Sequence, residues 1–274
     1  CMCTVRSTNG AEKVVMTPNE QQVHTELLRR KVCRIGELTE ITGNYQTTRN
    51  TMSRLVKKGY ALRPHQGIYA AVPPEHVGTD YEVDRYLLMH TIGGTGALAY
   101  HSALELHGVA ESYFNTVYYI RKRTLRSFAY QGIEYKFINS QKMFGAIKIF
   151  REGTPISITD RERTFLDCIR RPWYCGGIEE VLKSLRTFHT LDINILNRYL
   201  KRFGEQSLKQ KAGYVLDLLK GELRIPEKYV ISLMRKVGKK VYYLEPGLKN
   251  GSGRFVKEWN LIIPENIEEL MTFA

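Results

Sequence analysis

The chain has 274 residues, 43% of them hydrophobic and 25% charged, which supplies enough apolar material for a packed core without metals or bridges. Its 41 Lys and Arg against 28 Asp and Glu give a net charge of +13, a balance that attracts polyanions or acidic partners and says nothing about fold. Every long apolar run is broken by Arg, Lys or Gly and the start lacks the apolar stretch of a secretory signal, so a soluble, cytoplasmic protein without a membrane partner is expected.

Residues 1–16 are polar and read as a disordered leader, with Met2 and Met16 as candidate starts. Thr17-Pro18-Asn19-Glu20 reads as a helix start: Thr17 caps, Pro18 suits the first position and Glu20 reaches back to close a capping box. That helix buries Val23, Leu27 and Leu28 and ends near Arg30-Lys31. A short second helix carries Ile35, Leu38 and Ile41 and stops at Gly43. Asn44 caps a third helix, Tyr45 to Lys58, with Met52, Leu55 and Val56 on its inner face and Gln46, Arg49, Asn50, Ser53 and Lys57 opposite, Thr47 and Arg54 at the margins. Two strands, Tyr60–Leu62 and Ile68–Val72, flank a polar turn Arg63-Pro64-His65-Gln66 to make a hairpin. Pro73-Pro74 then opens a linker.

Beyond the linker, residues 80–92 read as a helix, Gly93-Gly94-Thr95-Gly96 as a break, and Ala97–Leu106 as another helix. Thr116–Ile120, Ile133–Ile138, Phe144–Phe150 and Ile156–Ile158 have the β-branched and aromatic texture of strands. Asp160 caps a helix burying Phe165, Leu166 and Ile169. Further helices follow at Ile178–Leu185, Leu196–Phe203, Tyr214–Leu219 and 227–236, and late strands at Val241–Leu244 and Leu261–Ile263. The fold class read from this is α+β: an N-terminal winged helix-turn-helix over residues 17–79, then a larger mixed α/β domain over 80–274.

Three short helices followed by a hairpin is the winged helix-turn-helix order, and the side chains agree with it. Gln and Asn can pair with adenine, Arg with guanine, and Thr or Ser with several bases. Gln46, Thr47, Arg49 and Asn50 lie in the first turns of the third helix, the part that enters a major groove. Asn44 and the helix start would meet a phosphate, with Tyr45, Ser53 and Arg54 beside the reading face. Lys57 and Lys58, and Arg63, His65 and Gln66 on the wing, would serve phosphates or the minor groove. Both parts of the chain are basic: residues 1–76 hold 11 Lys and Arg against 6 Asp and Glu, the remainder 30 against 22.

Ile35-Gly36-Glu37-Leu38-Thr39-Glu40-Ile41-Thr42-Gly43, Ser53–Tyr60 and Gly67-Ile68-Tyr69 resemble the N-terminal domain of the AbiEi antitoxins, halves of prokaryotic abortive-infection toxin–antitoxin pairs. The likeness continues through Ala103–Gly108, Asp160–Asp167, Gly176-Gly177, Tyr242-Tyr243-Leu244 and Trp259-Asn260-Leu261, and so spans nearly all of residues 17–264. The resemblance implies a repressor of its own operon, bound to inverted repeats in double-stranded DNA upstream of a toxin gene, with two copies on the repeat. It also implies that the second domain counteracts a nucleotidyltransferase-like toxin without a stable complex.

Enzymatic readings fare poorly. The glycine run lacks the Lys-Ser/Thr of a phosphate-binding loop, and Glu134-x-Lys136 has a nuclease pair's spacing without an upstream metal-binding Asp nearby. His101 and His107 are six apart, on different helix faces, and Ser102 lacks a nucleophile's glycines. The five cysteines have no bridging or zinc pattern. Asp160, Glu162 and Asp167 interleaved with Arg161, Arg163 and Arg170 read as a cap with intrahelical ion pairs. No catalytic residue, metal or cofactor is therefore expected. Arg121, Lys122, Arg123 and Arg126, on an expected exposed hairpin, form a candidate polyanion surface, either clamping operator DNA or serving neutralisation. Two rival functions stay open: a metabolite-responsive winged-helix repressor, and a DNA-directed nuclease or nucleotidyltransferase.

Overall fold

The computed structural model describes residues 16–250 and 253–270. All of the expected leader but Met16 lies outside them. The chain divides into two compact units between Val83 and Asp84. Among the described residues no helix is long and apolar enough to cross a membrane.

The first unit follows the capping chemistry read from its sequence. Helix α1 (Pro18–Arg30) starts in a full capping box, in which the Glu20 amide donates to Thr17 Oγ1 at 3.3 Å and the Thr17 amide to Glu20 Oε2 at 2.8 Å. Strand β1 (Val32–Arg34) leads into α2 (Ile35–Thr42), which ends because Gly43 takes a left-handed conformation at φ 69°. Helix α3 (Tyr45–Lys57) follows, then β2 (Ala61–His65) and β3 (Ile68–Ala71). Val23, Leu27, Leu38, Met52 and Leu55, one or two from each helix, are wholly buried against one another.

Two details differ from the sequence reading. The hairpin becomes a three-stranded antiparallel sheet, β1-β3-β2, because Val32–Arg34 pairs with Ile68–Ala70. Three residues are too short to show a strand's alternation. The expected four-residue turn is also mostly strand: β2 runs on through Arg63, Pro64 and His65, and only Gln66-Gly67 turn. Pro64 is tolerated because β2 is an edge strand with a register shift between Leu62 and His65, where a missing amide costs no ladder bond.

Glu20 then ties the unit together. Only 1% of it is exposed, and besides the cap it pairs with Arg54 at 3.0 Å and Lys58 at 2.8 Å. Both cations lie at the C-terminal end of α3 or just past it, so one carboxylate joins the start of α1 to the end of α3.

The second unit is a six-stranded mixed sheet with helices. Its elements run α4 (Arg85–Gly93), β4 (Ala97–Leu98), α5 (His101–Leu106), β5 (Thr116–Arg121), β6 (Phe128–Tyr130), β7 (Ile133–Asn139), β8 (Ala146–Arg151) and β9 (Thr154–Thr159). The strand order is β6-β7-β5-β4-β9-β8, with β5–β7 and β4–β9 parallel and the other pairs antiparallel. Ala97–Leu98, expected in a helix, is a central strand instead: β5 and β9 on either side supply its pairing, which local propensity cannot display. The glycine run has a packing reason. A Cβ on Gly93 or Gly96 would come within 2.5 Å of the Tyr119 ring, whose hydroxyl donates to the Gly94 carbonyl at 2.7 Å.

Helices α6 (Arg161–Arg170), α7 (Ile178–Arg186), α8 (Ile193–Phe203), α9 (Gln206–Leu218) and α10 (Glu227–Met234) pack into one large core with this sheet. A small sheet, β10 (Tyr242–Tyr243), β12 (Leu261–Ile263) and β11 (Arg254–Val256), joins it late, β12 lying between the other two. Asp160 caps α6 as expected, accepting from the Arg163 amide at 2.8 Å. The expected intrahelical pair forms between Arg163 and Asp167, and it lies in the core: Nε donates to Oδ2 at 2.7 Å with both side chains almost fully enclosed.

Glu20 generates a prediction. Burial pushes its carboxyl up, but the Lys58 ammonium, the Thr17 amide and the charge of Arg54 outweigh that and hold it below its ordinary value of 4.5. A carboxylate held low stabilises the fold above its unfolded pKa and loses that contribution as the pH falls through its folded one. Glu20→Gln should therefore cost about 1–2 kcal/mol at neutral pH, the scale of a lost cap and charge-assisted bond. In denaturant titrations the gap between variant and parent should close as the pH is lowered through the carboxylate range.

Candidate nucleic-acid interface

Helix α3 divides cleanly into two faces. Thr48, Thr51, Met52 and Leu55 are buried, while Gln46, Thr47, Arg49, Asn50, Ser53, Arg54 and Lys57 are exposed. Asn44, Tyr45, Arg63, His65 and Gln66 are exposed as well, so every residue singled out for DNA contact in the first unit reaches solvent. Tyr45 is 55% exposed, unusually open for an aromatic at a helix start.

Hydrogen bonds sort these residues further. Asn44 Oδ1 accepts from the Gln46 amide at 2.8 Å and the Thr47 amide at 3.1 Å. Those two amides, expected to meet a phosphate, are thus already satisfied by the cap, and a phosphate near the helix start would have to use side chains. Gln46 Nε2 donates to Asn50 Oδ1 at 3.1 Å, one turn apart on the exposed face. This bond orients both carboxamides and leaves Gln46 Oε1 and Asn50 Nδ2 pointing to solvent, one acceptor and one donor. Arg54 and Lys58 are drawn back to Glu20, Arg54 also donating to Thr51 Oγ1 at 3.5 Å. Among the described residues Arg49, Lys57 and Arg63 enter no ion pair, and they carry the open positive charge of this face.

The wing is shaped by the altered turn. Because β2 continues through His65, Arg63 and His65 alternate with buried Pro64 and so lie on the same exposed side of the strand. The Gly67 carbonyl at the wing tip accepts from the Ile35 amide at 2.9 Å, fixing the tip against the first residue of α2.

In the second unit the basic run does not sit on a hairpin. Arg121 ends β5, and the chain crosses over the end of β7 to reach β6 on its far side, because β5 and β7 are parallel neighbours. The crossover is held by Asn139, whose Nδ2 donates to the Lys122 carbonyl and to Thr124 Oγ1, both at 3.2 Å. Lys122, Arg123 and Arg126 are exposed. Arg121 is half-buried, its Nε enclosed without a hydrogen-bond partner among the described residues.

A second polar cluster escaped the sequence reading. Glu105 accepts from Arg85 Nη2 at 2.8 Å, the Tyr86 hydroxyl at 2.5 Å and the Phe114 amide at 3.2 Å. His101, stacked on the Phe114 ring at 3.7 Å and wholly buried, lies 3.5 Å from Glu105 and 3.4 Å from Glu180. Burial pushes the Glu105 carboxyl up, but His101, Tyr86 and Arg85 more than offset this and leave it lowered. The members are largely enclosed, and they pin α4, α5 and α7 together rather than open a site. His101 and Glu105 are visible as an i, i+4 pair, but Glu180 is distant in sequence and only folding supplies it. His107 lies with Nε2 2.8 Å from the Thr159 oxygen. Glu134 and Lys136 pair with each other at 2.7 Å on the exposed face of β7.

The architecture defines a class: a mixed α+β protein with a winged-helix-like N-terminal unit followed by a six-stranded mixed sheet and helices. The chain is similar to the RV2827C protein from Mycobacterium tuberculosis, whose crystal structure superposes with a TM-score of 0.63 at 17% identity over 94% of each chain. At that identity the likeness shows a shared fold. No family model matches the chain, and no curated protein matches it.

The crossover loop can be tested for its structural role. Replacing Lys122, Arg123 and Arg126 together by Ala should leave unfolding free energy within about 0.5 kcal/mol of the parent, as for exposed side chains without packing duties. Arg121→Ala should cost about 1–2 kcal/mol, since its stem is partly buried at the end of β5. Chemical denaturation of both variants checks the contrast.

Proposed function

We propose that this protein is a sequence-specific transcriptional repressor of its own operon that also acts as the antitoxin of a toxin–antitoxin pair. The observation that carries the DNA-binding part is the exposed face of α3, where Gln46, Arg49, Asn50 and Lys57 follow one helical stripe beside a wing bearing Arg63 and His65. Such a face combines base-reading amides and a guanidinium with flanking cations for phosphates. The pairing of Gln46 with Asn50 pre-orients two of the readers, which lowers the entropy lost on binding. The antitoxin part draws on the resemblance to AbiEi antitoxins that runs through both parts of the chain. On this reading the operator is an inverted repeat occupied by two copies in the cytoplasm. The counterpart is a nucleotidyltransferase-like toxin with which no stable complex is needed, and the protein itself is not an enzyme.

Base readout is tested on duplex DNA from upstream of the gene. Arg49→Ala or Asn50→Ala should weaken operator binding by about 1–3 kcal/mol and relax preference at one base pair. Lys57→Ala and Arg63→Ala should instead weaken operator and random duplexes alike. Operator and random binding unchanged in the Arg49 and Asn50 variants would remove α3 as the reading helix.

The two activities should also separate. A chain carrying both Arg49→Ala and Lys57→Ala, expressed from an independent promoter, should lose repression while still protecting cells from the neighbouring toxin. The crossover cations serve the protective side, so the triple alanine variant at Lys122, Arg123 and Arg126 should lose protection yet keep its salt dependence on DNA. Three lost phosphate contacts would lower the slope of log affinity against log salt by about 2.7, and that outcome would assign the loop to the operator instead.

A further inference from the structure

One cavity in the second unit is built from cations and an aromatic plane that DNA recognition by α3 does not use. It measures about 210 Å³ and is lined by Arg170 and Arg171 at the end of α6, Trp173 just beyond, and Glu205, Ser207 and Lys211 around the first turns of α9. Its acid is already neutralised. Glu205 holds Arg170 in a two-pronged pair at 2.7 and 2.9 Å and also takes Lys142 at 3.2 Å. Arg171 and Lys211 are left with no ion-pair partner among the described residues.

Lys211 is the most telling of these groups. It is half-buried in the cavity wall, and that burial pushes its ammonium down to about 8 against the more distant charge of Glu245, which pulls the other way. A cation stripped of water and held in no ion pair gains from an anion brought to it. Trp173 supplies the other half of a ligand site. Its indole is 50% exposed at the rim and among the described residues meets only the Tyr174 ring, tilted at 5.8 Å, which leaves one face open. An aromatic plane beside two cations that stand in no ion pair, Arg171 resting only over the Tyr174 ring at 6.0 Å, matches a ligand that is a flat ring at one end and a dianion at the other.

We propose that this cavity binds a nucleoside phosphate, its base stacked on Trp173 and its phosphate held between Arg171 and Lys211 with the Ser207 hydroxyl as a further donor. A free mononucleotide and the terminal nucleotide of a single strand share this chemistry. A base inside a duplex does not, because its faces are already stacked. The site is separate from the α3 face, so it stands or fails independently of DNA readout there.

The chain has two tryptophans, and the other, Trp259, is buried, so fluorescence quenching reports on Trp173 in the full-length protein. Titration with AMP and UMP should quench saturably, inorganic phosphate should compete without quenching, and adenosine should bind at least tenfold more weakly than AMP. Lys211→Met and Arg171→Ala should each weaken AMP binding at least tenfold while melting as the parent does. Trp173→Phe should lose the signal but still bind AMP by calorimetry. A 5′-phosphorylated single strand that binds more tightly than AMP would identify a strand terminus as the ligand, and the reverse order a free nucleotide. Absence of quenching at millimolar AMP and UMP would overturn the proposal. So would quenching of equal strength in the Lys211→Met and Arg171→Ala proteins.

Discussion

A charge taken out of water must find its partners inside the protein, and each unit of this molecule has such a charge joining elements distant in sequence. In the first unit it is the Glu20 carboxylate, which meets the Thr17 amide, Arg54 and Lys58. In the second it is the Arg163 guanidinium, which bonds Asp167 and donates from Nη1 to the carbonyls of Lys142 at 2.9 Å and Phe144 at 3.3 Å. The Phe144 and Phe203 rings flank it at 4.4 and 4.5 Å. Burying a pair of ions seldom adds net stability over an apolar pair, but removing one member strands the other. The arrangement therefore fixes which elements meet: the start of α1 with the end of α3, and α6 with the segment entering β8 and with α8.

That constraint bears directly on the proposed nucleic-acid face. Arg54 and Lys58 lie where a helix in a major groove would offer cations to phosphates, and both are committed to Glu20. Arg49, Lys57 and Arg63 remain outward. The result is a helix α3 whose far end is anchored to α1 and whose near end is capped by its own Asn44, so the exposed stripe between them is held at both ends. On the proposed reading, an anchored helix would keep base-reading side chains at fixed distances, which specific contacts need more than nonspecific ones.

Much of the first unit was legible because its signals are local. Caps, the Gly43 stop and the spacing of Met52 and Leu55 act within a few residues, and the exposed stripe on α3 follows from that spacing alone. The exceptions were three-residue β1, which exists only through its pairing with β3, and the role of Arg54, whose partner lies on another helix. The strand continuing through Pro64 was hidden for a related reason: a proline is tolerated there because β2 is an edge, and edges are defined by sheet order. The basic run could be read as exposed at Lys122, Arg123 and Arg126. Its crossover path could not, because it depends on β7 inserting between β5 and β6.

The sequence by itself determined the caps and order of the first three helices, the inward and outward faces of α3, the strand-rich middle and the basic balance of both parts, all of which follow from spacing and side-chain type along a continuous stretch. Tertiary structure alone decided the partners across distance: Ala97–Leu98 as a central strand, Glu180 beside His101, the carbonyls of Lys142 and Phe144 around Arg163, and Arg171, Trp173 and Lys211 around one cavity. Periodicity tells which side of an element turns inward. It does not say what waits there, because that depends on chain segments brought close only when the whole core closes and charged groups are forced to choose partners away from water.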